Sequence, residues 1–192
     1  EIGVPEDIIY DGTNIVVSVP YLTYNDRYLG SKIVKIDISN NTIIETIEVG
    51  LGPEKLAIHN EEIYIARKTY AEGYTATYYG TTKIGSEVIQ NDYGVDSAPC
   101  GGSIISHDLN IFRSYDGGLA RLNNDLNINI ESKIGSFTQW QVNHIDVIDN
   151  NFWFAVTDYV DNNIIYVLDD NGIEIASYEV GKIPGDFAIW KQ

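Results

Sequence analysis

The segment IETIEVGLGPEKLAIHNEEIYIAR (residues 44–67) is the most informative about the fold, because most of its pattern returns elsewhere in the chain. The N-terminus begins EIGVPEDIIYDGTNIVVSV (residues 1–19), and the sequence ends with IASYEVGKIPGDFAIWKQ (residues 175–192). Each copy has a glycine after an apolar residue, then a proline, then a mainly apolar segment. A pattern that returns along the chain indicates a repeat architecture.

Strand signals dominate the sequence. Short segments rich in Ile, Val, Thr and Tyr are separated by Asn, Asp and Gly, and no amphipathic helix is visible. The second strand of each repeat supplies the register, and its anchor residues Ile15, Ile63, Ile111 and Phe152 are 48, 48 and 41 residues apart. A period in the forties with four short strands is typical of β-propeller blades, which bury their faces by stacking on their neighbours.

The sequence therefore predicts an all-β fold: a single β-propeller domain over residues 1–192, with four blades of about four antiparallel strands. The repeat units are residues 1–50, 51–97, 98–138 and 139–181, followed by a partial unit, residues 182–192. That partial unit adds a surplus inner strand at residues 187–190, and two inner strands cannot fill one slot in a ring of four blades. The chain also begins at Glu1 and has no methionine. We expect a segment of a longer chain or a member of an oligomeric assembly; the alternative is a segment of a larger propeller of five to eight blades.

The glycine and proline of the repeated phrase mark the joint between blades, where an outer strand leads to the next inner strand. Gly50 with Pro53 and Gly181 with Pro184 have the full form. Glycine lets the chain turn back sharply, and proline stiffens the residue that leads into a strand whose amide need not bond. The joints between the middle blades, YGVDSAPCGGS and IGSFTQWQV, lack this pattern of a glycine followed three residues later by a proline.

These joints and their strands resemble the YVTN repeat of bacterial and archaeal surface propellers. That repeat has a V-x-V-I-D strand, an Asn-containing turn, an I-x-V-G strand and P-x-x-x-A-I. The matching residues are Val34, Ile36, Asp37, Asn40, Asn41, Ile47, Val49, Gly50, Pro53, Ala57 and Ile58, and then Tyr166, Val167, Asp169, Gly172, Val180, Gly181, Pro184, Ala188 and Ile189. The resemblance implies a surface-protein or lactonase-like propeller and transfers no catalytic residue.

Composition excludes several classes of partner. The chain has 12 Lys and Arg against 28 Asp and Glu, and a net charge of −16 repels phosphate backbones and anionic lipid surfaces. We therefore expect neither a nucleic-acid partner nor membrane insertion. A single cysteine, Cys100, excludes an intrachain disulfide and a Cys-based zinc site, and we interpret it as a half-buried free thiol.

Polar residues just after each joint are expected to face the propeller axis. By register these axial residues are Asp7, Lys55, Ser103, His144 and Asp186. We interpret them as solvated polar residues at the axial mouth, without a cofactor or metal; a cation held by Asp7, His144 and Asp186 is the alternative. His59 and His107 fall where the first two strands of a blade turn, and we expect turn chemistry there.

Tyrosines concentrate in the loop after the second strand of three blades. The loops are VPYLTYNDRYLG (residues 19–30), KTYAEGYTATYYG (residues 68–80) and TDYVDNN (residues 157–163). Tyrosine offers a large contact area with few rotors and a polar tip, so such loops on a rigid scaffold resemble recognition surfaces. The predicted binding residues are Tyr21, Tyr24, Tyr28, Tyr70, Tyr74 and Tyr159.

Two functions follow from these features. The favoured hypothesis is a non-enzymatic binding or structural propeller, extracellular on a cell envelope or part of a virus particle, that recognises protein or glycan through its tyrosine-rich loops. The alternative is a lactonase-like hydrolase with a polar axial site. An enzyme needs carboxylates and histidine converging on one pocket, whereas the sequence has three scattered histidines.

Overall fold

The computed structural model describes residues 3–24, 26–95 and 102–190, so Cys100 lies outside the described residues. The described strands are β1 (Ile8–Tyr10), β2 (Asn14–Val19), β3 (Lys32–Asp37), β4 (Thr42–Glu48), β5 (Pro53–His59), β6 (Glu62–Tyr70), β7 (Thr77–Ile84), β8 (Val88–Val95), β9 (Ile104–His107), β10 (Asn110–Tyr115), β11 (Gly118–Leu122), β12 (Ile128–Ile134), β13 (Val142–Ile148), β14 (Asn151–Thr157), β15 (Asn163–Leu168) and β16 (Glu174–Glu179). Two short 3-10 helices are Glu72–Tyr74 and Gln139–Gln141. Across these residues, no helix has the length and apolar character needed to cross a membrane.

The strands form four antiparallel sheets of four, each built from consecutive strands in chain order. This confirms the predicted all-β fold with four blades of four strands. Two-residue turns close the first hairpin of the second and fourth blades. Asn60 and Glu61 have φ values of 50° and 65°, and Asp149 and Asn150 have 49° and 62°, as tight hairpins with positive φ at both central residues require.

The chain divides into two compact units. Unit 1 comprises Glu1–Ser97 with Asn124–Asn127, and unit 2 comprises Ala98–Asn123 with Ile128–Gln192. The first and second blades share the core of unit 1, which consists of Val16, Ile33, Val49, Leu56, Ile63, Ile65 and Ile84. The third and fourth blades share the core of unit 2, which consists of Ile105, Phe112, Leu119, Ile134, Val142, Ile145, Phe152, Phe154 and Leu168. Neighbouring blades thus bury apolar faces against each other, and a single domain over the whole chain stays a prediction.

Glycine has a left-handed backbone at the joints of Gly50 and Gly135, whereas Gly181 does not. Gly50 has φ +85°, and a Cβ there would lie 2.8 Å from Nη1 of Arg67. Gly135, in the joint without a proline, has φ +78°. Gly181 has no left-handed φ and no atom within 4 Å of an added Cβ, so the prediction of a glycine-dependent joint there is wrong. The reason is that the described residues after Gly181, up to residue 190, contain no strand to which the chain must turn back.

The predicted surplus inner strand at residues 187–190 is also wrong, because residues 181–190 contain no strand. The Asn143 side chain donates a hydrogen bond to the carbonyl of Pro184 (2.9 Å), and the Phe187 ring lies 6.1 Å from the Trp153 ring, centroid to centroid. The segment therefore contacts the fourth blade through side chains. A strand needs a backbone partner, and none of the described strands pairs with this segment.

Candidate functional site

Asp7 and Lys55, two of the predicted axial residues, belong to unit 1. The Asp7 carboxylate accepts a hydrogen bond from the backbone N–H of Leu56 (2.8 Å), and the Asp7 N–H donates to the Ser18 hydroxyl (3.0 Å). That hydroxyl in turn donates to the carbonyl of Glu54 (2.8 Å). Asp7 therefore links the inner edge of the first blade to β5, on which Lys55 is half-buried.

Ser103 has the corresponding place in unit 2. Its hydroxyl accepts the backbone N–H of Ile145 (3.1 Å), so it links the third blade to β13 as Asp7 links the first blade to β5. A side-chain oxygen that accepts a hydrogen bond from the backbone of an inner strand has a structural role. His144 and Asp186 do meet, with Nε2 3.5 Å from Oδ1. Within the described ranges, no group of three or more His, Cys, Asp or Glu is placed to hold a metal ion.

The other histidines end strands and do not occupy turns. His59 closes β5, and His107 closes β9 with its ring edge-on to Phe152 at 5.3 Å between centroids. The turns begin one residue later, at Asn60 and Asp108, both with φ 50°. The two histidines therefore flank two-residue turns, since His59 pairs with Glu62 and His107 with Asn110, and turn chemistry for their side chains stays a prediction.

Four tyrosines form a continuous group of rings in unit 1, which we call the tyrosine cluster: Tyr21, Tyr28, Tyr70 and Tyr74. The ring centroids lie 4.4 Å apart for Tyr21 and Tyr28, 5.5 Å for Tyr28 and Tyr70, and 5.3 Å for Tyr70 and Tyr74. Tilted rings at about these separations attract each other. The structure thus joins two loops that the sequence placed on different blades. Tyr74 is 60% exposed, and Tyr24, in the loop of Tyr21 and Tyr28, is 82% exposed.

The loop of the first blade is held in shape by Asp26. Its carboxylate accepts three backbone N–H groups, those of Leu22 (2.6 Å), Thr23 (3.0 Å) and Leu29 (3.2 Å). The next carbonyl, that of Arg27, accepts the N–H of Tyr70 (3.2 Å) and the hydroxyl of Thr69 (2.9 Å) on β6. The loop is therefore ordered internally and attached to the second blade, which positions its tyrosines.

A buried ion pair adjoins the cluster. Nζ of Lys68 lies 2.6 Å from Oε1 of Glu54 and 5.0 Å from the Tyr28 ring centroid. Burial alone would lower the pKa of Lys68, but the charge of Glu54 together with nearby tyrosines outweighs it and the pKa is raised. Burial, with the charge of Glu54, also raises the pKa of Tyr28 to about 12. At neutral pH the Tyr28 side chain is therefore neutral and lies next to a fixed ammonium.

Three of the six predicted tyrosines have a left-handed backbone. The φ values are +60° at Tyr28, +57° at Tyr74 and +64° at Tyr159. Bulky residues rarely adopt this conformation, which costs about 1–2 kcal/mol per residue. It persists where surrounding contacts impose it, and such positions concentrate at binding sites and switch regions.

Tyr159 belongs to unit 2 and has a different partner. Its ring stacks on Trp140 (6.3 Å between centroids, 17° between planes), and its hydroxyl donates to the Trp140 carbonyl (3.1 Å). The Asp158 carboxylate orders this loop by accepting N–H groups, and these hydrogen bonds, that of Val160 foremost, lower the pKa of Asp158. Trp140 is 52% exposed and was not among the predicted binding residues. Its position in the joint IGSFTQWQV is the one feature of the sequence that could have indicated it.

Comparison with known proteins supports the fold and nothing finer. No protein-family model matches the sequence, and no curated protein is significantly similar to it. A structure of a nidogen/laminin complex superposes with a TM-score of 0.62 at 12% identity, over 93% of this chain and 64% of that chain. Hydrazine synthase of Kuenenia stuttgartiensis gives 0.60 at 13%, over 92% and 49%, and a hypothetical selenium-binding protein of Sulfolobus tokodaii gives 0.56 at 10%, over 98% and 60%.

The blades and these likenesses define the class of protein. The chain is a β-propeller protein, as its four antiparallel four-stranded sheets and its similarity to solved propellers show. It spans about half to two thirds of the length of these three matched chains, whose shares are 64%, 49% and 60%.

Proposed function

We propose that this protein is a non-enzymatic binding propeller of the YVTN type, exposed at a cell envelope or on a virus particle. It recognises a protein or glycan partner through the tyrosine cluster of unit 1 and the adjoining Tyr24. The observation that carries the proposal is the cluster itself, in which four rings from two loops are in contact and the Tyr74 end is exposed. Aromatic side chains that are already ordered lose little entropy on binding.

Charge favours a protein with a basic surface as the partner. The net charge of −16 attracts a basic surface over a distance of about one Debye length, roughly 8 Å in physiological salt. The nidogen/laminin complex is an assembly of proteins, so the same fold accommodates a protein partner. A neutral glycan would use the same rings as a stacking platform, and its affinity would depend little on salt.

The hydrolase is the weaker candidate. Two of the residues that would have to supply acid or base groups at the axis, Asp7 and Ser103, accept backbone amides of the neighbouring inner strands. A carboxylate or hydroxyl with this structural task is poorly placed to exchange protons with a substrate. His144 and Asp186 are in contact, but their pairing alone defines no reaction.

The proposal is tested by screening the full chain against an array of basic proteins and an array of glycans. Ligands that bind are then measured against the double variant Tyr24→Ala/Tyr74→Ala. Loss of two exposed aromatic contacts should weaken binding at least about tenfold. The matched control is Tyr10→Ala, which removes a 54% exposed tyrosine outside the cluster. Equal effects of the two changes, or none from either, would contradict a role for the cluster.

A further inference from the structure

A cavity of about 390 Å³ opens in unit 1 around the side chain of Arg67. Its size falls within the range of about 300–1,000 Å³ that is usual for small-molecule sites. Three glycines line it, Gly50, Gly80 and Gly94, together with the side chains of Leu51 and Tyr78 and others. The walls are mainly backbone and apolar surface, and a guanidinium is the principal cationic group among the lining residues.

The sheet explains why a cavity exists here. Arg67 on β6 pairs with Gly80 on β7, which in turn pairs with Asp92 on β8. Because Gly80 has no side chain, the arginine crosses it and reaches the Asp92 carboxylate at 2.5 Å through Nη2. A Cβ at Gly80 would lie 2.5 Å from Nη2, and a Cβ at Gly50 would lie 2.8 Å from Nη1. The glycines therefore leave room beside the guanidinium.

The guanidinium is incompletely satisfied. Arg67 is only 6% exposed, yet within the part of the chain that the structure describes its side-chain hydrogen bonds are both made by Nη2, to Asp92 and to the carbonyl of Asn91 (3.3 Å). Among the described residues, Nε is buried without a hydrogen-bond partner. The counter-charge is loosely held, since the Asp92 side chain is 76% exposed. A buried arginine that meets one carboxylate at one nitrogen retains capacity for a second carboxylate, which it prefers to bind through two nitrogens.

We propose that this cavity is a binding site for an organic carboxylate with an aromatic or branched apolar body. The carboxylate engages Nη1 of Arg67 and shares or replaces Asp92 at Nη2, while the apolar body lies against Leu51 (45% exposed) and Tyr78 (42% exposed). The site is separate from the tyrosine cluster and does not depend on the function proposed for it. The net charge of −16 opposes an anion at long range, so contact with the buried guanidinium must supply the affinity.

Two sources could supply such a carboxylate, a free acid or the C-terminal residue of a polypeptide. Calorimetric titration of the full chain with phenylacetate represents the first and with N-acetylphenylalanine the second. The matched neutral controls are phenylacetamide and N-acetylphenylalanine amide. At least one acid should bind about tenfold or more tightly than its amide, because a charge-assisted pair is lost in the amide. Whichever acid binds more tightly identifies the source.

Variants separate a binding site from a cross-strand ion pair. Asp92→Asn removes the competing carboxylate and should tighten binding of the acid about tenfold, whereas Arg67→Gln should abolish it. Leu51→Trp narrows the cavity without touching the guanidinium and should weaken binding at an unchanged melting temperature, which guards against misfolding of Arg67→Gln. The proposal would be overturned if acid and amide bind equally, if neither binds, or if Asp92→Asn does not tighten binding of the acid. Arg67 would then be a structural partner of Asp92.

Discussion

Lys68→Met should destabilise the protein by about 3–5 kcal/mol, because it leaves the Glu54 carboxylate buried without a counter-charge. In the wild type the two groups are 2.6 Å apart, and the side chains are only 10% and 8% exposed. Among the described residues, Oε2 of Glu54 has no hydrogen-bond partner, so loss of the ammonium leaves both carboxylate oxygens unpaired. Methionine keeps an unbranched apolar stem of similar length, so the change isolates the charge.

The dependence on pH gives this magnitude a second check. A buried carboxylate without a counter-charge can become neutral by taking up a proton. At a pH above the pKa of the carboxyl group, this protonation costs about 1.4 kcal/mol for each pH unit of difference. The deficit of Lys68→Met should therefore shrink as the pH is lowered from 7 towards 5. In the wild type the pKa of Lys68 is raised, so its stabilisation is complete below the ordinary lysine pKa of about 10.4 and is lost as the pH rises through the folded-state value.

Urea unfolding followed by circular dichroism measures these differences by linear extrapolation. The matched control is Lys32→Met, which removes the partner of Glu48 in an exposed pair (3.4 Å; side chains 40% and 66% exposed) and should cost about 0–1 kcal/mol. The double variant Lys68→Met/Glu54→Leu should return to within about 1 kcal/mol of the wild type, since no charge stays buried. A loss for Lys68→Met no larger than that for Lys32→Met would show that the buried pair contributes no more to stability than an exposed one.

Three further outcomes test other parts of the structure. Gly50→Val should lower the free energy of unfolding by about 2 kcal/mol or more, whereas Gly181→Val should change it by less than about 0.5 kcal/mol; equal melting temperatures would contradict the joint geometry. Burial and then the charge of Glu54 raise the pKa of Glu6, so Glu6→Gln should stabilise the protein at pH 7 and lose that advantage below about pH 4 in urea titrations. Asp26→Ala should speed tryptic cleavage after Arg27, because the loop loses three hydrogen bonds; an unchanged cleavage rate would argue against that order.

The blades were predictable because their signals are local. Strand segments and the turns between them depend on neighbouring residues, and Asn60 with its positive φ illustrates how a turn residue marks a hairpin. The C-terminal phrase repeats the same letters, yet residues 187–190 form no strand. A segment forms a strand only if its backbone hydrogen-bonds to a neighbouring strand. The presence of Gly181 and Pro184 does not indicate whether such a neighbour exists.

The candidate site was predictable only in composition. Tyrosine-rich loops are visible in the sequence, whereas the contact between Tyr28 and Tyr70 joins two blades and follows from their stacking. The pair of Lys68 and Glu54 was missed for the same reason, since residues fourteen positions apart meet on adjacent strands. Nothing in the sequence indicated a site at Arg67. Its cavity exists because Gly80, the residue that pairs with Arg67 on β7, has no side chain.

The two aspartates that order the tyrosine loops bear directly on recognition. Asp26 in unit 1 and Asp158 in unit 2 each accept three backbone N–H groups, and Tyr28 and Tyr159, which follow within two residues, have left-handed backbones. A loop without such acceptors would relax out of a conformation that costs about 1–2 kcal/mol. The conformational entropy of both loops is thus lost during folding and not during binding. If the tyrosines bind a partner, Asp26→Ala should weaken that binding by disordering the loop, with every aromatic side chain still present.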